Sequence, residues 1–157
     1  MANFLEQLVA EWYEFKGYFV RRNANVGRRQ TGGYESELDV VALNPKEWRL
    51  IHIKSSMECH SWSKREKRFG AKFKAGKKYI PGLFPGFKRL PKIEQMVVLV
   101  YGSQNNHSKL GGGRLVLIKD FMVEIRKDLA AREVRSRAVP EQYPILRGMQ
   151  FAANFWE

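Results

Sequence analysis

The sequence predicts an α/β domain in which helices surround a central β-sheet. Apolar residues at helical spacing open the chain, charged and apolar residues alternate in two segments near its middle, and residues 96–101 are wholly apolar. A chain of 157 residues with 44% hydrophobic residues suffices for one domain with a buried core. We find no internal repeat or low-complexity tract. Residues 1–157 are therefore expected to form a single domain.

The first helix is predicted from Asn3 to Lys16. Its apolar residues recur every three or four positions: Phe4, Leu5, Leu8, Val9, Trp12 and Phe15. Asn3 is a suitable N-cap and Gly17 a suitable C-terminal stop. Residues 18–20 then predict a short strand. Residues 25–35 are basic and glycine-containing without periodicity, which predicts a mobile loop.

A β-hairpin is predicted next. Residues 37–43 and 49–55 alternate between charged and apolar side chains, and Asn44-Pro45-Lys46-Glu47 predicts the turn between them. Side chains two residues apart share a face, so His52 and Lys54 lie together. Asp39 belongs to the neighbouring strand. A carboxylate, an imidazole and an ammonium group are expected to converge at one sheet surface.

A basic helix is predicted between Ser61 and Lys78. Trp62, Phe69 and Phe73 are seven and four residues apart and form one apolar stripe. The remaining surface has Glu66 as its sole acid, and its cations are Lys64, Arg65, Lys67, Arg68, Lys72, Lys74, Lys77 and Lys78. A solvated face is the ordinary interpretation of such a stretch. The lack of interleaved acids favours a polyanionic partner instead.

The second half of the chain predicts a further series of elements. In order, they are an irregular connection at 81–91, a strand at 96–101 covered on both faces, a glycine turn at 111–113, a strand at 114–118, and helices at 120–134 and 143–155. The last helix is rich in apolar residues. It is expected to dock either on its own domain or on a second copy of the chain.

The charge of the chain indicates its class of partner. Lys and Arg number 28 against 16 Asp and Glu, which gives a formal charge of +12. Such a surface suits nucleic acid, because neutralised phosphates release counterions. Besides the basic helix, the expected contacts are Arg21, Arg22, Arg28 and Arg29. No membrane partner is expected, since neither a bilayer-spanning run nor a long amphipathic segment is present. With Cys59 as the only cysteine, a reducing, cytoplasmic location is expected.

The order of helix, strand, hairpin, basic helix and strand resembles the PD-(D/E)XK nuclease superfamily, and most of all the archaeal Holliday junction resolvases. The resemblance covers about 4–101. The matching positions are Glu6, Lys16-Gly17-Tyr18-Phe19-Val20, Leu38-Asp39-Val40-Val41-Ala42 and Ile51-His52-Ile53-Lys54. It implies a restriction-endonuclease-like core, a mixed sheet flanked by helices, with an additional strand and C-terminal helices at 114–157.

The resemblance also implies a function, namely metal-dependent endonuclease activity on DNA, including branched or structured DNA. Glu6, Asp39 and His52 would surround Mg²⁺ or Mn²⁺, with His52 serving either as a metal ligand or as a proton-transfer group, and Lys54 would help to activate water. His52 stands where the superfamily has Asp or Glu, and imidazole suits Mn²⁺ or Zn²⁺ better than Mg²⁺. Glu37 or Glu58 would supply a compensating carboxylate.

Other interpretations stay open at this point. Glu11 is a reserve for Glu6, and Asp39 with Lys54 is also compatible with a purely structural ion pair. A protein of this fold that has lost catalysis would act as a DNA- or RNA-binding module. DNA is preferred to RNA. Symmetric cutting of two strands would require a homodimer.

Overall fold

A six-stranded mixed β-sheet flanked by helices forms the centre of the fold, so the predicted α/β class is confirmed. The structure is a computed structural model that describes residues 3–156. Its strands are β1 (Phe19–Arg28), β2 (Tyr34–Asn44), β3 (Arg49–Ser56), β4 (Ile93–Leu99), β5 (Lys109–Leu110) and β6 (Gly113–Leu117). Its helices are α1 (Phe4–Phe15), α2 (Trp62–Leu83), α3 (Ile118–Ala130), α4 (Val134–Arg137) and α5 (Pro144–Phe155).

The strands lie in the order β1-β2-β3-β4-β6-β5. β1, β2 and β3 pair in antiparallel fashion, as the predicted hairpin requires, whereas β4 is parallel to β3 and to β6. Parallel neighbours need a crossover connection, and α2 supplies it between β3 and β4. The side chain of Asn44 closes the hairpin turn by accepting hydrogen bonds from the backbone N–H groups of Lys46 and Glu47.

Helices cover the two faces of the sheet unequally. On one face, α1, α3 and α5 enclose the largest apolar cluster, which includes Val40, Ile53 and Val98 from the sheet. On the other face, α2 packs alone. Ile80 of α2 joins a cluster with strand residues of β1, β2 and β3, and Phe69 and Phe73 join another with β4, β5 and β6. The apolar stripe predicted for the basic helix therefore faces the sheet.

The N-terminal and C-terminal helices pack on each other. α1 begins with a capping box, in which the Asn3 side chain accepts from the Glu6 N–H and the Glu6 carboxylate accepts from the Asn3 N–H. The buried carboxylate of Glu11 accepts a hydrogen bond of 3.0 Å from the backbone N–H of Leu146 in α5. The last helix thus docks on its own domain. Phe155 and Trp156 at its end remain exposed.

Three predicted boundaries are wrong. The helix predicted at 120–134 ends at Ala130, before the separate helix α4. Most of 25–35 is not a loop, because β1 continues to Arg28 and pairs with β2 down to Tyr34, which leaves only 29–33 as the turn. Cross-strand hydrogen bonding and burial of Ala24 and Val26 hold these polar strands in place. The basic helix runs past Lys78 through Pro81, which lies in its last turn. β5 has only two residues, which are too few to show a hydrophobic pattern that would predict a strand.

The helices in the described part of the chain are too short or too polar to match a membrane-spanning helix. Within residues 3–156, none has the length and apolar character needed to cross a bilayer. The largest helix, α2, has 22 residues and is highly charged.

Candidate functional site

Asp39 and Lys54 form a close pair on one side of the sheet. Val40 of β2 pairs with Ile53 of β3, so Asp39 and Lys54 are the next cross-strand neighbours along the two strands. Lys54 Nζ lies 2.6 Å from Asp39 Oδ2, and the two side chains are 16% and 5% exposed. The alternation of the two strands thus brings a carboxylate and an ammonium group together, as the sequence predicts.

A cleft opens beside this pair, between α2 and the β1–β2 hairpin. Its volume is about 680 Å³. The cleft is lined by Asn25, Tyr34, Glu35, Ser36, Glu37, Lys54, Arg68, Phe69, Ala71, Lys72 and Ala75. Its walls therefore carry three cations and two acids, in addition to neutral polar groups suited to hydrogen bonding.

Lys72 brings a second ammonium group to the cleft from α2. It is half-buried, and its Nζ donates a hydrogen bond to the backbone carbonyl of Glu37. Burial lowers the pKa of Lys72, an effect that the negative charge of Asp39 opposes and the positive charge of Lys54 reinforces. Lys72 therefore belongs to the same charged cluster as Asp39 and Lys54.

Glu6 approaches this cluster from the start of α1. Its carboxylate is 8% exposed and accepts hydrogen bonds from the N–H and the Nδ2 of Asn3, at 3.2 and 3.1 Å. Burial raises the pKa of Glu6, and the negative charge of Asp39 raises it further, while the bond from Asn3 and the charge of Lys54 lower it. The two carboxylates are thus near enough to repel each other.

His52 lies apart from the two carboxylates, under α2. It is 1% exposed and meets the ring of Phe73 edge-on, with centroids 5.2 Å apart. Within residues 3–156, its Nδ1 atom has no hydrogen-bond partner. Burial, with the positive charges of Lys72 and Lys54, lowers its pKa to about 3. The imidazole is therefore neutral at physiological pH.

The structure does not bring the predicted ligand set of Glu6, Asp39 and His52 together. Across residues 3–156, no three His, Cys, Asp or Glu side chains form a group able to hold a metal ion. The physical reason is the packing of His52, whose ring is directed against α2 at Phe73 and Gly76. Glu6 and Asp39 are the two members of the set whose charges interact.

The other candidate acids have structural partners. Glu11 binds the N–H of Leu146, as described above. Glu58 is exposed and pairs with Arg68 and His60, at 2.5 and 3.1 Å. Glu37 is different, because it is half-buried and lines the cleft beside Lys54.

Most of the predicted nucleic-acid contacts on α2 are exposed. The exposed cations of this helix are Lys64, Lys67, Arg68, Lys74, Lys77 and Lys78. Arg65 is buried, and its guanidinium donates a hydrogen bond of 2.7 Å to the carbonyl of Glu58. Arg65 thus stabilises the segment before α2 and is withdrawn from the solvent-facing surface.

The predicted contacts on β1 and in the turn after it are all exposed. Arg28 and Arg29 lie at the far end of the β1–β2 hairpin. Arg21 donates to the carbonyl of Leu83 at 3.4 Å, and Arg22 forms an ion pair of 3.0 Å with Glu14 of α1. Arg21 and Arg22 are therefore partly engaged within the fold.

Three residues of the cleft wall, Asn25, Tyr34 and Glu35, were missed by the sequence interpretation because they fell in the predicted loop 25–35. A weak signal for them existed. Ala24 and Val26 are two residues apart, which is the spacing of one strand face, and Gly32-Gly33 is suited to a hairpin turn. The neighbouring arginines and asparagines hid this alternation.

The chain matches no family model, and a search of curated proteins returns no match.

Proposed function

We propose that this protein is a metal-dependent endonuclease that hydrolyses phosphodiester bonds of DNA. The proposal rests chiefly on one observation: Lys54 Nζ lies 2.6 Å from Asp39 Oδ2, at the side of a cleft bordered by the basic helix. A carboxylate near a second carboxylate, with ammonium groups beside it, is the set of charges that phosphodiester hydrolysis uses. The overall charge of +12 is in keeping with a polyanionic substrate.

The side chains around Asp39 fit a hard divalent cation. Glu6 and Asp39 are both buried carboxylates, and the pKa of Glu6 is raised first by burial and then by the negative charge of Asp39, which a bound cation would offset. Mg²⁺ is commonly held by one or two carboxylates, with water and substrate phosphate completing its shell. Glu6 and Asp39 would therefore hold Mg²⁺ or Mn²⁺, and His52 is left out of the ligand set. When bound, such a cation supplies Lewis-acid stabilisation of a phosphoryl oxygen.

The remaining side chains bind and orient the substrate. Lys54, held by Asp39, donates to a phosphate oxygen as negative charge develops there. Lys72 of α2 lines the same cleft, and its positive charge stabilises negative charge on the same phosphate oxygens. The exposed cations of α2 bind the phosphates on either side, which fixes the strand along the cleft.

Cleavage assays with purified protein test this proposal. Branched, duplex and single-stranded DNA are incubated with Mg²⁺ or Mn²⁺, and wild type is compared with Asp39→Asn and Lys54→Met. Each variant is expected to lose about 100-fold or more of the cleavage rate. Glu94→Gln is the matched control, because Glu94 forms an exposed pair of 3.0 Å with Arg49 at the opposite end of β3. Undiminished cleavage by Asp39→Asn would refute the assignment.

A second candidate is a DNA- or RNA-binding protein without catalysis. The specific observation in its favour is His52, a neutral buried imidazole where the resemblance implies an acid. This candidate gives salt-sensitive binding with no cleavage in either cation. The variant His52→Glu separates the endonuclease from the non-catalytic binding protein. A gain of Mg²⁺-dependent cutting would mean that the native site lacks a metal ligand. Lower cleavage activity than that of wild type would support the endonuclease.

The oligomeric state is part of the proposal. Cutting both strands of a duplex symmetrically would need two copies of this cleft, related by a two-fold axis. Sedimentation velocity, with and without DNA, distinguishes a homodimer from a monomer.

A further inference from the structure

The β1–β2 hairpin extends well beyond the rest of the sheet. β2 pairs with β3 only from Val40 to Asn44, while its pairing with β1 continues to Tyr34 opposite Arg28. Residues 25–28 and 34–37 therefore form a two-stranded ribbon, closed by the turn 29–33. At about 3.3 Å per residue, the four residues of each strand give the ribbon a length of roughly 13 Å.

This ribbon packs against α2 as far as Gly27 and Glu35, the pair next to its last one. Val26 and the adjoining Leu38 are buried in one cluster with Ile80 of α2, and the Tyr79 hydroxyl donates a hydrogen bond to the Glu35 carboxylate. Gly27 makes this approach possible. A Cβ at Gly27 would lie 2.7 Å from the Glu35 Cβ and 2.8 Å from the ring of Tyr79. The direction of the ribbon is therefore set by close packing.

The end of the ribbon is exposed and positively charged. Every residue from 28 to 35 is exposed, and this stretch holds Arg28, Arg29, Gln30 and Thr31 in succession. Among residues 3–156, neither arginine takes part in an ion pair within 4.0 Å. Arginine, glutamine and threonine are side chains that donate to or accept from base edges. The ribbon thus presents hydrogen-bonding groups at its tip, next to the cleft that its own residues help to line.

We infer that the ribbon enters the major groove of B-form duplex DNA while the cleft takes the adjoining phosphate backbone. The substrate class is then duplex DNA, an inference that rests on the proposed function for the role of the cleft. Two paired strands lie about 4.8 Å apart, and the major groove of B-DNA, about 12 Å wide and 8.5 Å deep, admits such a ribbon. The major groove of A-form RNA is too narrow for it, and a single strand offers no groove.

Fluorescence anisotropy in EDTA tests the inference without any cleavage. The probes are a duplex DNA of about two helical turns, the corresponding RNA duplex, and one DNA strand alone. Arg28→Ala with Arg29→Ala is compared with Arg126→Ala with Lys127→Ala, which removes the same charge from exposed positions on α3, across the sheet. The ribbon variant is expected to lose about tenfold or more of its affinity for duplex DNA, and the α3 variant about threefold or less.

Gly27→Val separates geometry from charge. It keeps every cation but displaces the ribbon from Tyr79, so it is expected to weaken binding of duplex DNA and to leave single-strand binding within about twofold of wild type. Circular dichroism checks that both ribbon variants remain folded. If one variant is unfolded, the other still decides the question.

The outcomes distinguish this inference from the proposed function. Equal affinity of wild type for duplex DNA, duplex RNA and single strands, or equal losses in the two double variants, would overturn the groove assignment. Cleavage that depends on Asp39 would leave the proposed hydrolysis standing in that case. Conversely, ribbon-dependent binding of duplex DNA without any cutting would support the groove assignment and reject the endonuclease.

Discussion

His52 of β3 lies directly beneath Gly76 of α2, so close that a methyl group at position 76 would overlap the imidazole ring. Phe73, one turn earlier in the helix, contacts the same ring edge-on. These contacts fix the height of α2 above the sheet. Since Lys72 stands on the same helix, the packing of His52 also determines how far that ammonium group reaches into the cleft.

Gly76→Ala tests this packing. Alanine favours a helix interior by about 1 kcal/mol over glycine, but overlap in a packed core costs typically 1–3 kcal/mol. We expect the clash to dominate and the free energy of unfolding in urea to fall by about 1 kcal/mol. Gly148→Ala in α5 is the matched control, because a Cβ there meets nothing within 4 Å. It is expected to stabilise by about 0.5–1 kcal/mol, and a stabilising Gly76→Ala would contradict the description of His52.

The buried imidazole also predicts a dependence of stability on pH. The pKa of His52 is about 3 in the fold against 6.5 for an ordinary histidine, so the unfolded chain takes up the proton first. The contribution of His52 to stability is therefore complete above pH 6.5 and is lost as the pH falls from 6.5 toward 3. Urea denaturation at pH 7.5 and 4.5 should show a smaller difference in His52→Leu than in wild type. An unchanged difference would argue against burial of a neutral ring.

The contrast between Asp39 and His52 shows how far the sequence can predict this site. The side-chain period of two in a strand is a local property, so alternation, together with the turn at residues 44–47, predicted both strands and the approach of Asp39 to Lys54. The surroundings of His52 depend instead on Phe73 and Gly76, more than twenty residues along the chain. The spacing of residues along the chain does not indicate that Gly76, in a later helix, makes room for the imidazole of His52.

The ribbon is a part of the fold that the sequence did not predict. Its sequence is polar and rich in arginine, asparagine and glycine, which are common in loops. Pairing between β1 and β2, with burial of Ala24, Val26 and Leu38 on α2, outweighs that local preference. Strand propensity is sensitive to such tertiary packing, which explains why the prediction failed at these residues.

Glu6→Gln should separate activity from stability. A carboxyl group whose pKa is raised by folding stabilises the fold most at low pH, and this contribution is lost as the pH rises through its folded pKa. Glutamine retains the capping-box acceptor without the charge. We therefore expect an equal or higher Tm at pH 7.5 and a loss of about 100-fold in Mg²⁺-dependent cleavage. A drop in Tm with full activity would reverse the proposed role of Glu6.

Lys72 and Lys74 offer a comparison within one helix. Lys72 lines the cleft, whereas Lys74 is exposed to solvent. Lys72→Met is expected to lower kcat by about tenfold or more, because it removes a charge beside the position proposed for the reacting phosphate. Lys74→Met should instead raise KM and reduce the steepness of the salt dependence. Steady-state kinetics at several salt concentrations measure both, and identical effects would place Lys72 on the general binding surface.

The exposed edge strand β1 affects how the purified protein associates in solution. β1 forms one border of the sheet, and β5, at the other border, has only two residues. Joining two copies along β1 would bring the arginines of the two β1 strands close together, so mutual repulsion discourages edge-to-edge association. High salt would screen that repulsion. The purified protein should therefore self-associate more readily in concentrated salt when no DNA is present.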